Sequence, residues 1–182
     1  SSGRFIVSSN PELPKKIGLN KFIENLKKAA LTLGITHSIV MSDIMIKDNE
    51  IYFIEMTPRP GGDCLPPLIF QSSGFDTLKA EIDFSEGKKI IIPPTNKWKK
   101  LVGFRLFAKK EGVIKEIDNS LILKIPGVIT SELNYKKGHK VILPPKDYMS
   151  RILGYVIFKP KNMKNIEKEC TKIASKLKLE IK

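Results

Sequence analysis

Asp43 and Glu55 stand in two short runs rich in β-branched and aromatic residues, HSIVMSDIMIK and IYFIEM, separated by the polar Asp48-Asn49-Glu50. That pattern predicts a β-hairpin. If those three residues form the loop, Lys47 pairs with Ile51 and Asp43 falls directly opposite Glu55, their β-carbons about 5 Å apart on one face. A two-residue loop does not suit this pairing, because a one-residue change of register moves one partner to the other surface. Like charges directly opposite each other on a sheet are destabilising, so the pair calls for a cation. Magnesium is the natural one: it takes hard oxygen ligands, usually one or two carboxylates completed by phosphates and water. Thr57 points the same way if the strand continues that far. Arg59 offers a fork of donors suited to phosphate oxygens, and Gly61 and Gly62 let backbone amides come close to an anion. Each residue alone has a plainer reading: solvated strand carboxylates, a surface ion-pair partner, a turn. The combination, an acidic residue followed twelve positions later by EMTPRPGGD with its rigid Pro58 and Pro60, is more specific than loop chemistry.

The elements that must hold these residues follow from periodicity. Over residues 14–33, Leu19, Phe22, Ile23, Leu26, Ala29, Ala30 and Leu33 recur at helical spacing, and Gly34 is placed to end the helix in a left-handed cap. The hairpin follows. TPRPGGDCLPP is too rich in proline and glycine to continue a strand, and an apolar stretch then runs to Gly74. Asp76 can cap a short helix reaching about Gly87. IIIPPTNKWKK marks a boundary at residues 92–99, which divides the chain into a domain over residues 1–91 and a second over residues 100–182. In the second, LVGFRLFAK, GVIKEI, SLILKI, GVITSEL, KVILP and RILGYVIFK are strand candidates. Asn162 can cap a helix with Ile166, Cys170, Ile173 and Leu177 on its apolar stripe, and LKLEI returns as a last strand. The class is α+β, with a closing strand-rich lobe.

Composition narrows the field. An apolar content of 41% over 182 residues supports a packed core. No apolar run approaches the roughly 20 residues that span a bilayer, and the first residues lack the design of a signal peptide, so the expected location is the cytoplasm and no membrane partner is expected. Cys64 and Cys170, with no Cys or His close by at ligand spacing, form neither a disulfide framework nor a structural zinc site. The net charge of +13 reads as general surface basicity; no nucleic-acid-binding motif accompanies it, and nucleic acid is not the expected partner.

GITHSIVMSDIMIKDNEIYFIEMTPRPGGDCLPPLIFQSSGFD resembles the C-terminal half of an ATP-grasp domain, whose pattern is an acidic residue on one strand, a hairpin, and a Glu-x-Asn-x-Arg strand end. The resemblance implies that Asp43 and Glu55 bind magnesium, with manganese as an alternative, and bridge it to ATP. It implies that Arg59 is the catalytic residue steadying the γ-phosphate or an acylphosphate, and that Gly61 and Gly62 line the nucleotide site. Thr57 stands where the family usually has Asn, so a hydroxyl replaces an amide oxygen among the metal ligands. His37, in a Gly-x-x-His context, and Asp63, in the Arg-x-Gly-Gly-Asp variant, are the substrate-contacting candidates by the same resemblance; a structural role for His37 at the helix-to-strand turn is the competing reading.

The implied reaction is ATP- and magnesium-dependent ligation: a carboxylate attacks the γ-phosphate, and an amine or similar nucleophile then attacks the acylphosphate. PGGD and the later lobe are similar to L-amino-acid ligases, while IYFIEM also fits carbamoyl-phosphate synthases and biotin carboxylases. The family's glycine-rich phosphate loop, paired lysines and preceding substrate domain are absent from this sequence. A fragment that binds nucleotide weakly alone and needs an N-terminal lobe or a partner polypeptide is the expectation, with a homodimer left open. From another class, a basic non-enzymatic module binding nucleic acid or an acidic protein is the alternative.

Overall fold

A computed structural model of the chain describes residues 6–9 and 17–182. These divide into two compact units, residues 17–98 and residues 99–182 together with 6–9.

The first described strand, β1 (Ile6–Ser8), is followed in the unit of residues 17–98 by α1 (Leu19–Thr32), β2 (Met41–Lys47), β3 (Glu50–Thr57), α2 (Leu65–Ser73) and α3 (Thr77–Ser85). α1 covers the later part of the expected helix; residues 14–16, where that helix was to begin, lie outside the described residues, as do residues 1–5 of the expected first domain. Gly34 ends α1 at φ 74°, a conformation that costs a residue with a β-carbon more than it costs glycine. The stretch after PGGD, read only as apolar, forms α2, with prolines in its first turn where their missing N–H groups cost nothing. Asp76 caps α3 as expected, its Oδ1 accepting from the amides of Leu78 and Lys79 at 3.0 Å each.

The hairpin departs from the sequence reading in one respect that matters. Its loop has two residues, with Asp48 at φ 52° and Asn49 at φ 64° and Lys47 paired with Glu50. Positive φ at both central positions is the type I′ turn, whose twist matches that of the strands, and Asp and Asn tolerate it. In that register Glu55 would face Ser42, on the other surface from Asp43. A β-bulge corrects it: pairing runs in step as far as Ile44 with Phe53, Ile54 is passed over, and Asp43 then pairs with Glu55. The predicted pairing thus arises from one extra residue in the strand rather than in the loop.

The other unit contains β4 (Val102–Phe107), β5 (Gly112–Asp118), α4 (Ser120–Leu123), β6 (Val128–Leu133), β7 (Lys140–Val141), β8 (Ile152–Phe158), α5 (Ile166–Ala174) and β9 (Lys178–Ile181). A four-stranded antiparallel sheet has the order β1-β4-β8-β6, and a three-stranded one β7-β5-β9. Their facing sides, with Ile122 of α4 and Cys170 and Ile173 of α5, close one core around Phe104, Leu106, Ile114, Leu153, Val156 and Phe158. Three details correct the sequence reading. Ile6–Ser8, assigned to the first domain, pairs with Val102–Phe104 of β4, a long-range partnership that local pattern does not encode. SLILKI is a helical turn, not a strand: the Asp118 carboxylate accepts from the amide and hydroxyl of Ser120 and bends the chain, so only Ile122 is buried. Asn162 caps a short 3-10 turn, Met163–Asn165, that leads into α5. Gly154, at φ 152°, lies where any β-carbon would collide with the Glu132 carbonyl of β6, so the sheet needs glycine there.

Candidate functional site

Cross-strand partners share a face, so the bulge sorts the hairpin into two surfaces. Ser42, Ile44, Ile46, Ile51, Phe53 and Met56 lie on one, all half-buried except Phe53, which is exposed. Met41, Asp43, Met45, Tyr52, Glu55 and Thr57 lie on the other, where both carboxylates, Met45 and Tyr52 are exposed. Asp43 and Glu55 are direct partners. The Thr57 hydroxyl donates to Glu55 Oε1 at 2.9 Å, and the Ser42 hydroxyl donates to the Glu55 carbonyl at 3.1 Å, so side chain and backbone of Glu55 are each held by a neighbour. This leaves Glu55 Oε2 and both Asp43 oxygens uncommitted among the described residues. Two hard anionic ligands side by side suit a magnesium ion that completes its shell from phosphate and water. Among the described residues no group of three or more His, Cys, Asp or Glu assembles, which sets this pair apart from an all-protein metal cage.

Arg59 is exposed, and its Nη1 donates to the Pro60 carbonyl at 2.9 Å. At Gly61 a β-carbon would press on the Leu65 side chain, which would have to shift, whereas Gly62 is open. The start of α2 is not an anion site: Leu65 N bonds the Gly62 carbonyl, Pro66 and Pro67 have no N–H, and Leu68 N bonds Cys64. Asp63, exposed at φ 54°, turns the chain into α2.

His37 packs its ring 5.9 Å from Phe84 of α3, and its Nδ1 lies 3.0 Å from the Thr36 hydroxyl. The adjoining residues are clasped by Glu81 of α3, whose two oxygens accept from the Ser38 hydroxyl and the Ile39 amide at 2.7 Å each. Sequence reasoning missed this clasp, since nothing in the spacing joins residues more than forty positions apart. It also missed Met45 and Tyr52, although their exposure follows from the same alternation that places Asp43.

No protein-family profile and no curated protein matches the chain. Solved structures do. Phosphoribosylglycinamide synthetase from Anaerococcus prevotii is similar at 22% identity with a TM-score of 0.72, over 97% of this chain and 45% of that one. L-amino acid ligase from Bacillus licheniformis is similar at 16% identity and TM-score 0.75, over 97% and 44%. The biotin carboxylase domain of 2-oxoglutarate carboxylase from Hydrogenobacter thermophilus, solved with MgADP and bicarbonate, is similar at 16% and 0.67, over 97% and 39%. The chain has the fold of part of an ATP-grasp enzyme, α+β with antiparallel sheets, and spans less than half the length of these relatives.

Proposed function

We propose that the chain is the magnesium- and phosphate-handling part of an ATP-dependent carboxylate–amine ligase. The observation that carries this reading is the bulge at Ile54, by which Glu55 pairs with Asp43 on an exposed face, an anionic pair in a hairpin whose other face is apolar apart from Ser42. Isolated like charges at this position would only destabilise the hairpin.

Asp43 and Glu55 would hold the magnesium, or manganese, of a metal–ATP complex, and that ion supplies charge neutralisation at the phosphate oxygens. Thr57 stands in second rank: its hydroxyl orients Glu55, so its loss disturbs the ligand rather than removing one. Arg59, two residues past the end of the same strand, would release the Pro60 carbonyl and turn its fork to the transferring phosphoryl group, while the Gly61 and Gly62 amides approach its oxygens. Met45 and Tyr52, paired across the strands one step further along the same face, offer an apolar surface to a nucleotide base. The work of these groups is positioning and electrostatic stabilisation, the usual means of phosphoryl transfer. His37, set by Phe84 and the Glu81 clasp, and Asp63 are the candidates for the carboxylate substrate and its nucleophile. The remaining phosphate-binding elements would come from further polypeptide, within the same protein or from a partner. The L-amino acid ligase likeness, with the Arg-x-Gly-Gly-Asp sequence, favours this reading over a biotin-carboxylase type.

The test is trapping of an acylphosphate by hydroxylamine in the protein as encoded, with ATP, magnesium and a panel of small carboxylates. Hydroxamate formation that falls at least a hundredfold in Asp43→Asn and in Glu55→Gln supports the assignment; equal yields in both variants remove it.

A further inference from the structure

The +13 charge looks evenly spread along the sequence, but the unit boundary shows that it is not. Residues 17–98 carry 9 Lys and Arg against 10 Asp and Glu, whereas residues 99–182 carry 20 against 8. The catalytic reading uses none of this excess.

Part of it is organised. Lys168 and Lys172, four residues apart in α5, share one helix face, and Lys164 stands four residues earlier in the 3-10 turn that leads into it. Lys161 precedes the 3-10 turn and Lys176 follows the end of α5, and all five lysines are exposed. None of the five forms an ion pair among the described residues, although other lysines of this protein do, such as Lys178 with Glu116. The opposite side of α5 buries Cys170 and Ile173 in the core. Like charges four residues apart on a helix disfavour it slightly, so an anion lying across these lysines would relieve their repulsion; Glu167, exposed near the start of α5, is the acidic side chain closest to them in sequence.

We infer that the outer face of α5, within the basic unit, binds the phosphate backbone of duplex nucleic acid. The alternatives fit less well. Protein interfaces are depleted of lysine and anchored by aromatic residues, and the exposed face of α5 holds no aromatic side chain. A membrane-surface helix presents its apolar stripe to lipid, whereas the stripe of α5 is buried. Single-stranded nucleic acid needs stacking platforms, which this face also lacks. A row of lysines without base-reading groups implies binding that is independent of sequence and steeply dependent on salt.

Fluorescence anisotropy of this chain with a labelled 20-base-pair duplex tests the inference. Binding at 50 mM salt should weaken roughly fortyfold or more by 200 mM, the loss expected when three or more phosphates are neutralised. The triple change Lys164→Gln, Lys168→Gln, Lys172→Gln should weaken binding at 50 mM at least tenfold and flatten the salt slope by about 2 to 3. Lys21→Gln, Lys27→Gln, Lys28→Gln on α1 should leave both within twofold. Circular dichroism checks that both variants are folded, and Lys168→Gln alone, expected to weaken binding two- to fivefold, serves should the triple variant misfold. The inference falls if the duplex does not bind at 50 mM salt, if the α1 control weakens binding as much as the α5 variant, or if polyglutamate or phosphatidylserine vesicles bind as tightly as the duplex.

Discussion

The two units are of similar length but differ in how they are held together. Among the described residues, sixteen of the twenty buried apolar residues belong to the strand-rich unit, and the other four, Ile17, Cys64, Leu68 and Ala80, to residues 17–98. In the latter, Leu31, Leu78 and Ile82 are each about 60% exposed, and its two-stranded sheet gains no third strand among the described residues. Stability and site are therefore separated. The strand-rich unit is densely packed, while the unit with the carboxylate pair has a thin core and an exposed face. Low local stability is usual in elements that close on a ligand.

The largest effect that could break this contrast is a core truncation. Phe158→Ala, at a fully buried position between β4 and β6, should cost about 3–5 kcal/mol in urea unfolding. Leu78→Ala, 58% exposed on α3, should cost within roughly 0.5 kcal/mol. Comparable losses would show that residues 17–98 have a core of their own.

Cys64 and Cys170 report on the two units separately. Burial pushes the Cys64 thiol up to about 11, and Cys170 is equally enclosed, so neither should react quickly with a disulfide reagent at neutral pH. In mild denaturant Cys64 should label on the order of tenfold faster than Cys170, because local opening of the thin core precedes global unfolding. Equal rates would mean that the chain opens as one body.

The smallest effects concern titration. Asp83 on α3 is held below the usual carboxylate range chiefly by a hydrogen bond from Lys79, and Asp147 by the amides of Met149 and Ser150. Both favour the folded state above the ordinary aspartate pKa of about 3.9, and both contributions disappear as pH falls through the lower folded values. At 1 M salt, where screening acts over about 3 Å, NMR titration should show the Asp83 depression shrinking while that of Asp147, set by backbone geometry, persists. Equal salt sensitivity would contradict the assigned causes.

Much of this architecture is legible from periodicity and caps. α3 begins where Asp76 allows it, α5 carries Ile166, Cys170 and Ile173 of its predicted stripe with Leu177 beyond its end, and Asp43 does meet Glu55. The route to that pairing was not legible. Asp48-Asn49 is itself a two-residue turn signal, but with Ile54 in the middle of an alternating run nothing marks it as the residue to be passed over; a bulge is decided by the pairing of two strands, not by either alone. Other misses share this cause. β1 finds β4 across more than ninety residues, Glu81 reaches back to Ser38, and SLILKI yields its strand propensity to a side-chain turn at Asp118. Tertiary context overrides local preference in each. The uneven charge became visible only once the unit boundary was drawn.

The central claim is that Asp43 and Glu55 act as one cation site on the exposed face of the hairpin, and manganese binding followed by electron paramagnetic resonance tests it most directly. With ATP present, the wild-type chain should take up manganese, and Asp43→Asn and Glu55→Gln should each weaken uptake at least tenfold, while Asp48→Asn in the turn leaves it within twofold. Unchanged uptake in both site variants, or an equal loss in Asp48→Asn, would contradict the account.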